Sequence, residues 1–199
     1  TAELWRNDWT PQEKTSLVSY TRSSRNFNTP LRAGYELTNE IESVISALDK
    51  SSLSENTQFS RGSSVSGLSK FLGIPEDDIL DNIELTKELV AGREFTEHAF
   101  LSTSVTEETH WSGKVRYKVY CPEGTKGAYL EPISFYSMDP KTRSGQIGVY
   151  DEVNMIDADV HARGENEFLI QAGTRYRIQD MALSEAGDIL VNMIITGQP

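Results

Sequence analysis

Glu165 and Glu167 stand one residue apart at the head of an apolar run, Phe168-Leu169-Ile170, and Gly173-Thr174-Arg175-Tyr176-Arg177-Ile178 follows. In a strand, residues i and i+2 point to one face, about 6.5–7 Å apart. Two carboxylates held that way repel each other unless a cation, a substrate or water lies between them. A fold has little reason to keep such a pair for stability, so it reads first as chemistry. The plainer alternative is that both acids point to solvent beside Lys or Arg. Two further polar features precede the pair, each at a strand edge or strand end: Arg61-Gly62, then Ser102-Thr103-Ser104.

The elements that must position these residues follow from local patterns. Thr10-Pro11-Gln12-Glu13 is a helix start, with Thr as N-cap, Pro in the first turn and Glu three residues after the cap. Leu17, Val18 and Tyr20 supply its apolar face, and periodicity makes Tyr20 a core residue. Leu37, Ile41, Val44, Ile45 and Leu48 mark a second helix; shorter helical patterns cover Leu68–Leu72 and Ile79–Val90. One short strand, Gln58–Arg61, interrupts this helical half and ends at Gly62. From about Glu94 the period becomes two. Val115, Tyr117, Val119 and Cys121 alternate with polar residues, Gly127–Leu130 opens another strand, and Phe168–Ile170, Arg175–Ile178 and Ile189–Ile195 make three more. Helices first and strands afterwards predict an α+β fold, a single domain over 1–199, mainly helical over 1–57 and strand-rich over 58–199. Ser137–Gly164 shows no periodicity, and long stretches of that kind in compact domains are usually functional or mobile.

Composition narrows the partners. The 199 residues hold 37% apolar and 25% charged side chains, which is ordinary for a globular protein. A formal net charge of −11 argues against a surface that tracks nucleic-acid phosphates or adheres to anionic membranes. No stretch approaches the about 20 apolar residues that span a bilayer. The lone cysteine, Cys121, has no intrachain partner and reads as a small buried hydrophobe rather than a nucleophile. His98, His110 and His161 lack metal-ligand spacing, so no metal is expected. No Gly-rich dinucleotide fingerprint or Walker A motif is present. The start at Thr1, with no signal peptide, is read as a mature form or an excised domain.

Taken in order, Arg61, Ser102-Thr103-Ser104 and Glu165-x-Glu167 resemble the mono-ADP-ribosyltransferases of the Arg–Ser-Thr-Ser–Glu-x-Glu class. Within that class the likeness is to the catalytic domains of bacterial actin-modifying toxins of the iota type. The resemblance spans most of the chain. Leu17–Thr21 with Phe27-Asn28 and Leu31-Arg32 is similar to the family's opening helix, and Gly127-Ala128-Tyr129-Leu130 to the strand after its second motif. It implies a mixed, mostly antiparallel sheet around an NAD cleft.

The resemblance also implies roles. Breaking the bond between nicotinamide and ribose passes through an oxocarbenium-like cation, as glycoside hydrolysis does. Glu167 is then the carboxylate that stabilises it, and Ser102 fixes the Glu167 rotamer. Arg61 holds the NAD pyrophosphate with a two-pronged guanidinium, and Gly62 lets backbone approach the nucleotide. Thr103 and Ser104 brace the strands around the cleft; Tyr20 and Trp111 are aromatics against the nucleotide. Glu165 accepts hydrogen bonds from the incoming nucleophile. Family members carrying Glu there modify arginine, whereas those carrying Gln modify asparagine. The implied activity is transfer of ADP-ribose to an arginine of a host protein, with NAD as substrate, by a monomer that is secreted or delivered into a host cytosol. Actin is a target candidate by analogy alone. Two other readings stand beside this one: an NAD glycohydrolase with water as acceptor, and a non-catalytic interaction module on the same fold. The chain departs from the family in the 34 residues between Leu130 and Glu165, an insertion where relatives present a target-recognising loop. It departs again at Ala162 and Arg25, where aromatics are usual.

Overall fold

A computed structural model describes residues 8–105, 113–130 and 167–199. The first helix, α1 (Pro11–Arg22), begins as its sequence dictates. Glu13 N–H donates to Thr10 Oγ1 at 3.1 Å, and Thr10 N–H donates back to Glu13 Oε2 at 2.8 Å. The same Glu13 carboxylate accepts from Ser46 at 2.7 Å and from Lys50 Nζ at 2.8 and 2.9 Å, which ties α1 to α3 (Asn39–Asp49). Burial alone raises the Glu13 pKa, but the Lys50, Ser46 and Thr10 hydrogen bonds outweigh it and the net shift is downward.

Between these helices the structure differs from the sequence reading. Phe27-Asn28 and Leu31-Arg32 do not close the opening helix but form a helix of their own, α2 (Arg25–Ala33). The chain breaks at Ser23, which leaves helical geometry at φ −152°, and α2 ends on left-handed Gly34 at φ 69°. A second difference follows the first strand, β1 (Thr57–Ser63), and α4 (Val65–Leu72). The single pattern over Ile79–Val90 divides into α5 (Glu76–Asp81) and α6 (Ile83–Val90). Asn82 is extended there, and its Oδ1 accepts the Leu85 N–H at 3.0 Å, so it caps α6 instead of continuing α5.

Among the described residues the remaining strands are β2 (Glu94–Glu97), β3 (Leu101–Ser104), β4 (Val115–Cys121), β5 (Gly127–Tyr129), β6 (Glu167–Ile170), β7 (Thr174–Leu183) and β8 (Ile189–Gly197). They form one eight-stranded sheet in the order β2-β7-β8-β4-β1-β3-β6-β5. The fold is α+β, with helices leading into a mixed sheet. Only β4 and β8 pair in parallel among the described strands. β1 meets β3 through one register pair, Ser60 with Ser104, whereas it meets β4 through seven. That thin contact is a seam between a five-stranded wing and a three-stranded wing, β3-β6-β5.

Two apolar clusters flank the three-stranded wing. One fills the space between the wings under α4, α5 and α6, with Phe59 stacked flat on Phe168 at 4.5 Å. Each fully buried side chain of this size contributes about 1.5–3 kcal/mol. Cys121 lies in this cluster, and burial pushes its thiol up to about 12, in keeping with an inert buried residue. The other cluster joins α1, α2 and α3 to the opposite face of the wing through Leu17, Tyr20, Ile41 and Leu48 against Phe100, Leu130 and Leu169. Gly127 allows β5 to close on β6: a Cβ there sits 2.6 Å from the Leu169 carbonyl oxygen. Among the described residues no helix is long and apolar enough to cross a membrane.

Candidate functional site

All four residues of β6 are buried, but they alternate between two environments. Ser104 pairs with Glu167 and Ser102 with Leu169, so these four share a face. It is the face that meets α1 and α2. Thr103, between the two serines, points the other way; its Oγ1 donates to the Phe168 carbonyl at 2.8 Å and clamps β3 to β6. Glu167 is 6% exposed at the start of the strand.

Tyr20 underlies this face. It is 1% exposed, with Phe27 and Phe100 edge-on to its ring at 5.5 and 5.6 Å. Its Oη lies 2.9 Å from Ser102 Oγ and accepts from Asn28 Nδ2 at 3.3 Å. Asn28 Oδ1 in turn accepts the Phe100 N–H at 3.2 Å, which fixes α2 to the entry of β3. Burial pushes the Tyr20 phenol up to about 12, and the Glu167 charge adds to the rise; the Ser102 and Asn28 hydrogen bonds and the Arg61 charge oppose it. Both Glu167 and Arg61 are therefore close enough to act on this hydroxyl. In the sequence, Asn28 carried only a likeness to the family's opening segment. Its contact to Tyr20 depends on the break at Ser23, which no periodicity signals.

Arg61 approaches from the other wing. It pairs with Tyr117 on β4, and its Nη1 donates to the Ser102 carbonyl oxygen at 2.8 Å, across the seam. Gly62 is buried beside it opposite Arg116. Ser104 is 8% exposed and stands at the seam's one register pair with Ser60. Near by, Arg32 grips Glu97 with two nitrogens, at 3.0 and 3.3 Å, while Glu97 Oε1 also accepts the Ala99 N–H at 2.9 Å. That clamp ties α2 to the β2–β3 turn; as an exposed pair it adds little stability but fixes geometry.

Arg61, Gly62, Ser102, Ser104, Tyr20 and Glu167 thus gather at the seam, while Thr103 faces the core between the wings. Glu165, Trp111 and the 137–163 insertion lie outside the described residues. Among those described, no three His, Cys, Asp or Glu side chains are grouped to hold a metal ion. A buried carboxylate and a guanidinium, on opposite sides of one seam, can serve a substrate that is anionic at one end and becomes cationic at the other.

Comparison with known proteins bears on this arrangement. The family model for ADP-ribosyltransferase exoenzymes matches residues 1–196. A mono-ADP-ribosyltransferase C3 of Clostridium botulinum D phage is similar at 23% identity over 90% of this chain, which spans 66% of that protein's length. The solved Clostridium limosum C3 exoenzyme is 21% identical, with a TM-score of 0.73 over 98% of this chain and 90% of its own. C3stau2 from S. aureus, solved with NAD, is 21% identical, with a TM-score of 0.71 over 96% of this chain and 89% of its own. At these identities the solved structures speak to the fold. They are of the C3 type, a likeness other than the iota type to which the sequence pointed.

Proposed function

The chain belongs to the ADP-ribosyltransferase exoenzyme family, and from that premise we propose that it transfers ADP-ribose from NAD to an arginine of a host protein, releasing nicotinamide. The observation that carries this reading is the buried Glu167 carboxylate on one strand face with Ser102, at the seam where Arg61 crosses from the other wing. Glu167 stabilises the ribosyl cation as the nicotinamide bond breaks, and its burial strengthens that interaction over its value in water. Arg61 holds the pyrophosphate; a planar guanidinium meets two oxygens at once. Ser102 keeps the Glu167 rotamer. Glu165 stands two positions before Glu167 and receives the acceptor; an anion there suits a guanidinium, which has to be oriented and partly deprotonated. Delivery into a host cell is consistent with relatives named as exoenzymes. The protein acts as a monomer, without a metal.

The two glutamates separate in a paired experiment. Glu167→Gln abolishes both nicotinamide release and protein labelling, by about 10²-fold or more, since a neutral amide gives little to a cationic transition state. Glu165→Gln removes arginine labelling but spares much of the NAD cleavage with water as acceptor. Equal loss of both activities in Glu165→Gln means that the carboxylates act as one unit. Full labelling in that variant rules out arginine, and nicotinamide release by the wild type with no labelled protein points to a glycohydrolase.

A further inference from the structure

We propose that Asn28 is a positioning residue that sets the direction of a hydrogen-bond chain running from Asn28 through Tyr20 and Ser102 toward Glu167. This rests on the reading of Glu167 as the acid that meets the ribosyl cation. The argument begins at the Phe100 N–H, which can only donate. Its partner 3.2 Å away is therefore the amide oxygen of Asn28, and the amide nitrogen must face Tyr20. An amide nitrogen is a donor only, so Tyr20 Oη accepts at 3.3 Å. The phenol has one proton, and its other neighbour is Ser102 Oγ at 2.9 Å. Tyr20 donates there. Ser102 thus receives one hydrogen bond and keeps its own proton for another partner.

That partner lies on the same strand face. Ser102 is two residues from Ser104, whose register partner is Glu167, and the Tyr20 phenol beside them lies in the field of the Glu167 charge. With the chain running this way, Ser102 offers a proton to the carboxylate or to a ribose hydroxyl it holds. Reversed, Ser102 donates to Tyr20 and turns lone pairs toward a carboxylate, which is repulsive. Burial prevents water from correcting the order, since Tyr20 is closed in by Phe27 and Phe100. A phenol pushed up to about 12 also keeps its proton at any working pH.

The chain is tested by reversing it. Asn28→Asp keeps an oxygen for the Phe100 N–H but replaces the donor toward Tyr20 with an acceptor, at almost the same size. We expect kcat for NAD cleavage to fall about tenfold, with the NAD KM within twofold. Tyr20→Phe cuts the chain, so Asn28→Asp added to Tyr20→Phe should cost no more than about twofold further. The new charge acts in both backgrounds, whereas the reversal acts only where the phenol is present. A second readout needs no turnover: the Glu167 carboxyl followed by carbon-13 NMR. Asn28→Asp should raise its titration midpoint by at least one unit more with Tyr20 present than in Tyr20→Phe; among the described residues the Tyr20 phenol feels the Glu167 charge, and Arg61 acts on the same phenol. If Asn28→Asp does not fold, Asn28→Ala removes the donor without reversing the chain and should cost about threefold, again only with Tyr20 present. Equal losses in both backgrounds, or a raised KM with unchanged kcat, overturn the proposal. Loss of activity in Glu167→Gln marks the underlying reading as sound whichever way the chain result falls; wild type that cleaves no NAD sinks that reading and leaves the NMR shift to decide the chain.

Discussion

Phe168 and Glu167 are adjacent in sequence and almost equally buried, at 1% and 6% exposure, yet they sit in opposite surroundings. Phe168 enters the space between the wings and stacks on Phe59. Glu167 faces α1 and α2, near the hydroxyls of Ser102 and Tyr20. Phe168 is held by ring stacking, whereas Glu167 has hydroxyls around it, although Leu169 on its own face packs into the apolar cluster of α1 and α3. The strand that carries the carboxylate is locked from behind by this aromatic stack.

The largest effect that sharpens this contrast is on the packed side. Phe168→Ala removes the ring that stacks on Phe59 and touches Tyr129 edge-on at 4.9 Å. It should cost about 3–5 kcal/mol of unfolding free energy, read from urea melts. Glu167→Gln, one residue away, should leave the melt nearly unchanged. Similar losses in the two variants would mean that the polar face also carries the fold, and the division drawn between the faces would fail.

The next effect concerns buried phenols, of which Tyr20 stands on the polar face. Its pKa is raised from 10.0 to about 12, chiefly by burial. The folded state therefore binds this proton more tightly than the unfolded chain. The resulting stability is complete below about pH 10 and disappears as the pH rises to about 12. Two units correspond to a loss on the order of 3 kcal/mol. Urea melts at pH 9 and pH 11 should show a smaller alkaline loss in Tyr20→Phe than in wild type. Tyr117, Tyr176 and Cys121, also raised by burial, titrate alike in both proteins and cancel. An unchanged alkaline loss in Tyr20→Phe would show that this phenol is reached by solvent.

Arg61 links the two wings, so its replacement probes the seam. Arg61→Lys keeps the charge but loses the fork and the geometry of the 2.8 Å bond to the Ser102 carbonyl. On the proposed reading NAD binding weakens by about 1–3 kcal/mol, measurable by fluorescence titration. Unaltered affinity would remove Arg61 from the nucleotide site and leave it a stitch between the wings.

How much of this was legible in the sequence depends on range. The start of α1 could be read because its cap, proline and glutamate lie within four residues. The strands β4 and β8 could be read because one face is apolar and the period is two. The order of helices and strands gave the fold class. The α5–α6 break was hidden because Asn82 suits a helix cap as readily as a polar helix face. The separate α2 was hidden because an apolar pattern continues across Ser23. At the site, residue types were visible and convergence was not. Ser60 meets Ser104, and Tyr20 meets Ser102, across 44 and 82 positions. The opposite orientation of Thr103 follows from strand alternation alone, once Ser102 and Ser104 are assigned to the Glu167 face.

The smallest effect tests how far the polar face extends into the helices. Thr10 begins α1, three turns before Tyr20, and its Oγ1 takes the Glu13 N–H. Thr10→Ala leaves that N–H without its side-chain acceptor, a loss of about 1 kcal/mol for an N-cap of this kind. Lys50 and Ser46 still hold the Glu13 carboxylate, so the helix start loosens without detaching from α3. For a chain of this size the melting temperature should fall by about 2–4 °C. NAD cleavage should stay within twofold, because Tyr20 is fixed from the other direction by Ser102, Asn28 and two aromatic rings. A loss of turnover that outpaces the loss of stability would mean that the capping box, through α1, belongs to the machinery that aims Ser102, and the polar face would then reach the first turn of the first helix.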